Sequence, residues 1–329
     1  MRPHIGIILA TYRPDWKFFR QQIESLRCQS FSNWFCLISD DSCDPSVRSI
    51  IEQLIQNDDR FQLTTHKQTV GPFMNFMTAV PNFKGFDFVA FCDQDDIWQP
   101  NKLEVILEHF QRFPEVSILH SDLALVDSEG LEIAPSCWRL ESREVQEVNI
   151  KSLLFRNVVT GCSMVFKASL IPLIAPLRSV DDTSFYYHDQ WVAILALLEG
   201  QILSISKTLV KYRQHQNNLV GAGSSSYRDC LEKLFDVKTL LQTSLRQVKS
   251  RRCLAEHVRE RAYEAIEEGY FKNPDSIRKT VSELDMFYGL RWVVPFFTYG
   301  PRGLPGVKLF LLLFLGIVSG FFQANKSRD

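Results

Sequence analysis

The sequence lacks the features that mark several large classes of protein. Glycine supplies only 15 of the 329 residues, phenylalanine supplies 25, and no low-complexity tract occurs, which excludes a disordered or low-complexity chain. The formal net charge is −1, with 37 basic and 38 acidic residues, so no general basic field indicates a nucleic-acid partner. No GxxxxGKS or GxxxxGKT loop is present, which excludes a P-loop NTPase.

The eight cysteines are scattered along the chain, and no two of them form a CxxC pair. Several lie within apolar runs. This pattern favours reduced, partly buried thiols in a cytoplasmic protein over a disulfide framework or a zinc site. The N-terminal apolar run, IGIILA, is too short for a signal peptide and is interpreted as a strand.

An apolar segment near the C-terminus, residues 306–322, contains a single charge, Lys308. It is shorter than the roughly 20 residues that a membrane-spanning helix needs. Basic residues lie on both sides of it. A core helix, an interfacial anchor and a short span therefore stay open, and we predict a cytoplasmic protein associated with the inner face of the cell membrane.

Strand-like and helix-like segments alternate along the first part of the chain. Apolar runs typical of strands alternate with segments of helical spacing, the strands at 4–10, 34–40, 61–66, 86–93 and 116–127 and the helices at 15–29, 44–57, 72–80 and 100–113. Such alternation predicts an α/β sheet with parallel strands. Polar groups follow the first, second and fourth strands. Ligands bind beyond the carboxyl ends of parallel strands, so we expect one shared site there.

Three carboxylates, Asp93, Asp95 and Asp96, follow the fourth strand within four positions. In an extended chain the side chains at 93 and 95 point the same way, and neighbouring carboxylates repel each other. A divalent cation relieves the repulsion by taking oxygen ligands from one or both and from the phosphates of a ligand. The alternative is a solvated turn that caps the helix starting near Pro100.

The motifs ATYR, QSFSNWFCLISDDSCD, VGPFMNF and FVAFCDQDDIWQPNKLE follow one another in this order. Over residues 4–220 the chain resembles the family 2 nucleotide-sugar glycosyltransferases, and two later segments resemble their bacterial rhamnosyltransferase-like branch. The resemblance implies an α/β protein with the GT-A fold, a Rossmann-like mixed sheet flanked by helices, and a C-terminal helical extension. We expect a catalytic domain at 1–220, a helical region at 221–303 and an apolar C-terminal helix at 304–329.

The resemblance implies a donor site at the ends of the first two strands. Thr11 and Tyr12 would meet the nucleotide, with Tyr12 able to stack on the base. Asp41 would accept a hydrogen bond from the base, and Gly71 would bring its backbone close to the donor. The residues alone leave Tyr12 open to closing the core and Gly71 to a simple turn. Asp44 fits a helix cap better than a ligand.

The family's DxD motif corresponds to Asp93-Gln94-Asp95. By that resemblance, Asp93 would lie near the ribose or the metal, and Asp95 would ligate the metal directly. Asp96 would face the donor sugar or the acceptor. Trp98 would contact the substrate by the resemblance, although an aromatic side chain at this position fits packing better.

The resemblance also implies an acceptor side. Asp189, at the start of an apolar helix, matches the catalytic base, which takes the proton of the acceptor hydroxyl. From the residues alone, an ordinary N-cap is the competing interpretation. His188 fits a packing or supporting role beside the substrate, and Gly161 permits close approach of the backbone.

The segment YRQHQNN offers two more groups, Arg213 and His215, which share one face if the chain is extended. A cation near the diphosphate would stabilise the charge of the leaving group, and Arg213 fits that role. His215, as neutral imidazole, could complete the metal shell. A polar loop leading to the Gly/Ser-rich stretch 221–227 is the alternative.

The resemblance, together with these residues, implies an inverting glycosyltransferase assisted by Mn²⁺ or Mg²⁺. By the resemblance to the rhamnosyltransferase-like branch we expect dTDP-rhamnose as the donor, with UDP-sugars next, and a glycan or lipid-linked glycan as the acceptor. A nucleotidyltransferase would need a Gly-rich N-terminal phosphate loop, which the sequence lacks. A non-catalytic nucleotide- or glycan-binding relic of the same fold is the remaining rival, although the motif carboxylates are present.

Overall fold

The computed structural model describes residues 3–175 except Glu147, residues 187–215 and residues 237–284. The chain divides into two compact units. The first, Met1–Leu140 with Val159–Ala222, contains every candidate site residue; the second is Glu141–Val158 with Gly223–Asp329. The domain boundaries expected from the sequence stay predictions, and the segment 304–329 lies outside the described residues.

Among its described residues, the first unit is built on a nine-stranded mixed sheet. Its strands are β1 (Ile5–Thr11), β2 (Trp34–Asp40), β3 (Phe61–Thr65), β4 (Phe88–Asp93), β5 (Ile97–Trp98), β6 (Val116–Val126), β7 (Glu132–Ala134), β8 (Met164–Lys167) and β9 (Gln201–Arg213). The order is β3-β2-β1-β4-β8-β6-β9-β5, with β7 beside β6. The four strands β3, β2, β1 and β4 are parallel, which confirms the predicted arrangement.

Antiparallel pairing begins where β8 joins β4, and β8 also runs antiparallel to β6. The long strand β6 is parallel to β9, whose C-terminal end pairs antiparallel with β5. The sheet is therefore mixed, as the GT-A fold requires. These later pairings bring residues near position 210 back to the residues that follow β4.

Ten α-helices are present in the described part of the chain: α1 (Trp16–Arg27), α2 (Pro45–Ile55), α3 (Pro72–Met77), α4 (Lys102–Arg112), α5 (Cys137–Leu140), α6 (Ile150–Phe155), α7 (Ile171–Ile174), α8 (His188–Ala196), α9 (Val237–Glu267) and α10 (Pro274–Ser282). Asp15 caps α1 by accepting from two backbone N–H groups. Asp44 caps α2 by accepting from Ser46 N–H, which confirms the predicted cap. Short 3₁₀ helices occupy Val80–Phe83, Gly161–Ser163 and Ala168–Leu170.

Burial of β1 determines where polar groups can lie in the first unit. Ile5, Ile7, Ile8 and Leu9 are fully buried, as expected for a parallel strand covered on both faces. Side chains of α1, including Phe19, pack into the same core. Since the strand interior holds no polar side chain, polar chemistry begins only where the parallel strands end.

The described part of the second unit is helical and contains α6, α9 and α10. Arg261 of α9 is buried and forms ion pairs with Glu264 and Glu268. Lys151 and Glu283 form another pair. Within the described ranges, no helix combines the length and the apolar character needed to cross a membrane. The apolar segment 306–322 is not among these residues.

Candidate active site

The ends of β1, β2 and β4 lie side by side. The strand register pairs Thr11 with Asp40 and Ala10 with Asp93. The polar residues that follow these three strands therefore share one edge of the sheet. The structure brings together at this edge the groups that the sequence placed in a single site.

Gln94, the middle residue of the DQD sequence, joins the end of β4 to the end of β1. Its side-chain oxygen accepts from the Thr11 hydroxyl at 2.7 Å and from the Tyr12 N–H at 2.8 Å. Its amide nitrogen donates to the Tyr12 carbonyl at 3.4 Å. The Tyr12 ring remains 45% exposed, with the Arg13 guanidinium 5.3 Å from its centroid. From the sequence alone Gln94 has no predicted role, because its partners lie more than 80 positions away.

Asp41 fastens the loop that leads into α3. Its two oxygens accept from Val70 N–H at 2.7 Å and Gly71 N–H at 2.8 Å. Gly71 has a φ of +83°, and an added Cβ would meet nothing within 4 Å. Conformation and not space therefore favours glycine here. A contact between Asp41 and a base, or between the Gly71 backbone and a donor, stays a prediction.

The carboxylates after β4 are concentrated and partly buried. Asp93, Asp96 and the Cys162 thiol each place a ligand atom within 4.8 Å of the others. Burial, with the charges of Asp95 and Asp189, raises the pKa of Asp93 to about 7. Burial, with the charges of Asp95 and Asp93, holds the pKa of Asp96 well above its usual range. This cluster therefore needs either protons or positive charge.

Asp95 faces a different partner from those two carboxylates. Its Oδ2 lies 2.8 Å from His215 Nε2, and the Phe18 ring lies 5.3 Å from the imidazole. Two ligands at right angles on an octahedral Mg²⁺ or Mn²⁺, each about 2.1 Å from the ion, are about 3 Å apart. The separation of Asp95 and His215 fits that spacing.

Lys102 supplies a positive charge that was not predicted from the sequence. It is fully buried at the start of α4, and its Nζ donates to the Cys162 carbonyl at 2.6 Å. Burial lowers its pKa to about 8, opposed by the charges of Asp96 and Asp93. A lysine at a helix N-terminus opposes the helix dipole, and that was the signal available in the sequence.

Trp98 lies in the core and not on the site surface. Only 2% of it is exposed, and the Lys102 ammonium sits 3.3 Å from its ring centroid. Trp98 therefore packs in the core, as one of the two interpretations of the sequence has it. A contact between Trp98 and the substrate stays a prediction, and the burial of the side chain does not support it.

Arg213 is buried and braces several segments. Its Nε donates to Asp95 O, and Nη1 donates to the carbonyls of Asp127 and Ser128. Nη2 donates to the Gln21 side chain at 2.6 Å, and its backbone N–H donates to Asp96 Oδ1. The structure thus gives Arg213 a bracing role, and a contact with diphosphate stays a prediction.

Asp189 lies in the first turn of α8, one residue after His188. The N-cap residue of this helix is Tyr187, so the N-cap interpretation of Asp189 is wrong. Its Oδ2 accepts from Gly161 N–H at 2.9 Å, and its Oδ1 accepts from Gln190 N–H at 2.7 Å. Its charge contributes to the raised pKa of Asp93, so the two carboxylates are electrostatic neighbours.

His188 packs inside the protein. Its ring stacks on Phe76 at 3.8 Å between centroids and meets Phe91 edge-on at 4.7 Å. Burial lowers its pKa to about 3, so the imidazole is neutral at physiological pH. A Cβ added to Gly161 would lie 2.4 Å from His188 Nε2, which explains the glycine. His188 therefore has the packing role that the sequence favoured.

Residues 6–172, about half of the chain, match the profile of glycosyl transferase family 2. The chain is 25% identical over 238 residues to UDP-Glc:alpha-D-GlcNAc-diphosphoundecaprenol beta-1,3-glucosyltransferase WfgD of Escherichia coli, covering 71% of this chain and 84% of that one. It spans only 22% of the Sinorhizobium fredii protein y4gI, to which it is 24% identical over 212 residues.

Two solved structures show the same fold. S. aureus TarS 1-349 in complex with UDP-GlcNAc aligns over 98% of this chain and 92% of its own, with a TM-score of 0.51 and 15% identity. The mannosyltransferase PcManGT of Pyrobaculum calidifontis, in complex with GDP-Man and Mn²⁺, aligns over 98% and 88%, with a TM-score of 0.52 and 12% identity. None of these named proteins is described as a rhamnosyltransferase. With the family profile matched over half of its length and the mixed sheet of the GT-A fold, this chain belongs to glycosyl transferase family 2 and is a glycosyltransferase.

Proposed function

We propose that this glycosyltransferase moves a sugar from a nucleoside diphosphate to a hydroxyl of a cell-surface glycan, with inversion at the anomeric carbon. One observation carries the proposal: the Gly161 N–H holds the Asp189 carboxylate at 2.9 Å, electrostatically close to Asp93. A single base beside a donor site is what direct displacement requires. A mechanism of two successive displacements would additionally need a nucleophilic side chain on the protein.

On the donor side, the exposed Tyr12 ring would stack on the base, and Thr11 would lie close to the nucleoside. Gln94 holds both residues by hydrogen bonds. A shift of the DQD segment would therefore also move Thr11 and Tyr12, the residues that would contact the nucleoside. This coupling keeps the diphosphate beside the carboxylates while the sugar is transferred.

Asp95 and His215 are the residues that would hold a divalent metal, with Asp93 beside the ribose or the metal. When bound, the metal would supply positive charge that offsets the charge of the departing diphosphate. Lys102 already lies in the pocket of Asp93, Asp96 and Cys162. A second cation would be repelled there, which favours the Asp95 side of the cluster.

On the acceptor side, Asp189 would remove the proton from the acceptor hydroxyl as that oxygen attacks the anomeric carbon. The proton ends on a carboxylate oxygen of Asp189, and the sugar–phosphate bond breaks on the opposite face. The backbone N–H of Gly161 orients the carboxylate throughout. Asp96 and the 160–163 turn would border the sugar and the acceptor.

The donor and acceptor are proposed by class. We retain dTDP-rhamnose, with UDP-sugars as the second candidate. The E. coli relative, whose name specifies UDP-Glc and GlcNAc-diphosphoundecaprenol, supports a UDP-sugar and a lipid-linked acceptor. The S. aureus structure with UDP-GlcNAc agrees with a UDP donor.

The test is a panel of dTDP-rhamnose, UDP-glucose, UDP-galactose, UDP-GlcNAc and GDP-mannose, each with and without Mn²⁺. We expect one nucleotide class to raise the melting temperature and to be hydrolysed only when metal is present. If no compound stabilises the protein in a metal-dependent way, the non-catalytic binding relic becomes the better proposal.

Membrane contact is proposed from the sequence of residues 306–322 and from the lipid-linked acceptor in the name of the E. coli relative. Deleting residues 304–329 should move the protein from the membrane fraction to the soluble fraction. An unchanged distribution would assign the segment to the folded core, and loss of folding would do the same.

A further inference from the structure

Lys102 occupies a position that stability alone does not favour. It is the first residue of α4, where the helix dipole opposes a cation, and its side chain is fully buried. Burial of an ammonium is tolerated only when specific partners compensate for lost water. The structure provides two: the Cys162 carbonyl at 2.6 Å and the face of the Trp98 ring at 3.3 Å.

The carbonyl that Lys102 holds belongs to a short and crowded turn. Cys162 is the middle residue of the 3₁₀ helix Gly161–Ser163, which directly precedes β8. The turn is closed by Ser163 N–H donating to the Thr160 carbonyl at 3.0 Å. Because Gly161 packs against His188 without room for a Cβ, the turn has little freedom to relax.

The same turn orients Asp189. The Gly161 N–H, one residue before the carbonyl held by Lys102, donates to Asp189 Oδ2 at 2.9 Å. A rotation of the turn that released the Cys162 carbonyl would also redirect this N–H. The ammonium of Lys102 and the carboxylate of Asp189 are therefore linked through two adjacent residues.

We propose that Lys102 is a positioning residue for glycosyl transfer: it fixes the Gly161–Ser163 turn and thereby sets the orientation of the Asp189 carboxylate. The proposal rests on the proposed function of Asp189 as the base. It differs from a role in balancing the charge of Asp93 and Asp96, because that role would act on metal and donor binding. The two roles predict different changes in kinetics.

The experiment compares Lys102→Met, which keeps the length and bulk of the side chain, with wild type. Arg112→Met is the matched control, because it removes an exposed cation from the other end of the same helix. Hydrolysis of the active donor from the panel gives kcat and KM, with water in place of the acceptor. Hydrogen exchange measured on the peptide around Gly161 reports the turn without any need for catalysis.

We expect Lys102→Met to lower kcat by about 10- to 100-fold, since small misplacements of a catalytic group have effects of this size. The KM for the donor and the affinity for Mn²⁺ should change by less than about 3-fold, as they do not depend on Asp189. The Gly161 amide should exchange about 10-fold faster. Arg112→Met should match wild type in all four measurements.

Two results would overturn the proposal. One is unchanged exchange and kcat in Lys102→Met; the other is a loss of donor or Mn²⁺ affinity as large as the loss of kcat. If Lys102→Met does not fold, Trp98→Phe tests the proposal instead. This variant weakens the contact between the Trp98 ring and the Lys102 ammonium, so it should lower kcat while the KM for the donor stays constant. If the wild-type protein hydrolyses no donor, the proposed function is refuted. Hydrogen exchange at Gly161 still tests whether the contact between Lys102 and the Cys162 carbonyl fixes the turn, because that measurement does not need catalysis.

Discussion

His215 Nε2 lies 2.8 Å from Asp95 Oδ2, although the two residues are 120 positions apart in the chain. The end of β9 delivers His215, and the turn after β4 delivers Asp95. The two atoms lie within hydrogen-bond distance of each other. A divalent ion can bind both of them, because both atoms are ligands for Mn²⁺ and are spaced as neighbours in one coordination shell.

Asp95→Ala should therefore abolish metal-dependent donor hydrolysis while the protein stays folded. Half of the Asp95–His215 pair is lost, so Mn²⁺ should no longer enhance stabilisation by nucleotide in a thermal-shift assay. Asp59→Ala, which removes an exposed carboxylate between α2 and β3, is the control. Full activity in Asp95→Ala would remove Asp95 from the metal site.

Asp189→Asn should keep donor binding and lose transfer, with kcat falling by about 10²- to 10⁴-fold. Asparagine retains an oxygen for the Gly161 N–H but cannot take a proton. Donor affinity is measured by calorimetry and kcat by nucleotide release, with Glu199→Gln beyond the end of α8 as the control. A collapse of donor affinity would instead assign Asp189 to the nucleotide site or to the fold.

The stability of the metal-free protein should depend on pH through Asp93. Its pKa is raised from 3.8 to about 7 in the folded state, so between these values the folded protein holds a proton that the unfolded chain has released. The contribution of this bound proton to the free energy of unfolding is fully present below about pH 4 and is lost as the pH rises through about 7. Denaturant unfolding with EDTA from pH 4 to 8 should show wild type losing stability relative to Asp93→Asn. Parallel profiles for the two proteins would contradict the raised pKa.

Gly161→Ala should destabilise the protein by about 1–3 kcal/mol, because its Cβ would lie 2.4 Å from His188 Nε2. It should also reduce kcat, since the Gly161 N–H orients Asp189. His188→Ala leaves space for the new methyl group. If the clash is the cause, adding Gly161→Ala to His188→Ala should cost much less stability than adding it to wild type. Equal losses in both backgrounds would point to the backbone and not to the contact.

Tyr12→Ala should weaken donor binding by about 1–3 kcal/mol, the usual value of stacking a base on an aromatic ring. Tyr12→Phe keeps the ring and should bind the donor as wild type does. Calorimetry with the nucleotide alone separates this effect from catalysis. A loss in Tyr12→Phe equal to that in Tyr12→Ala would assign the interaction to the hydroxyl group.

The sequence was sufficient to predict elements whose signal is local. Three of the four parallel strands were predicted because each is a nearly continuous apolar run, whereas β3 (Phe61–Thr65) alternates apolar and polar residues over its first half; the cap at Asp44 was predicted because Pro45 follows it. Because these strands are parallel, the polar residues at their ends, including Thr11 and Asp93, were predicted to lie at one edge of the sheet. The alternation of strand-like and helix-like segments therefore predicted the parallel part of the sheet and the edge on which the candidate site lies, whereas the mixed sheet was implied by the family resemblance.

Contacts between distant segments were not accessible in the same way. Gln94 is an ordinary polar residue until its bonds to Thr11 and Tyr12 are seen, and Lys102 looks like an exposed helix residue. Arg213 was predicted to contact the diphosphate because the sequence does not reveal the backbone carbonyls to which its guanidinium donates. Burial and partner choice at such positions depend on tertiary packing, which periodicity does not encode.

The brace made by Arg213 has a consequence for synthesis. Its guanidinium bonds to Gln21, made 192 residues earlier, and to the carbonyl of Asp95. At about 5–20 residues per second, a ribosome needs about 6–24 s to travel the 120 positions from Asp95 to His215. During that interval the emerging chain carries β1, β2 and β4 without Arg213 and His215. Under the proposed function, a product that ends before residue 215 lacks the proposed metal ligand His215 and should not consume activated sugar.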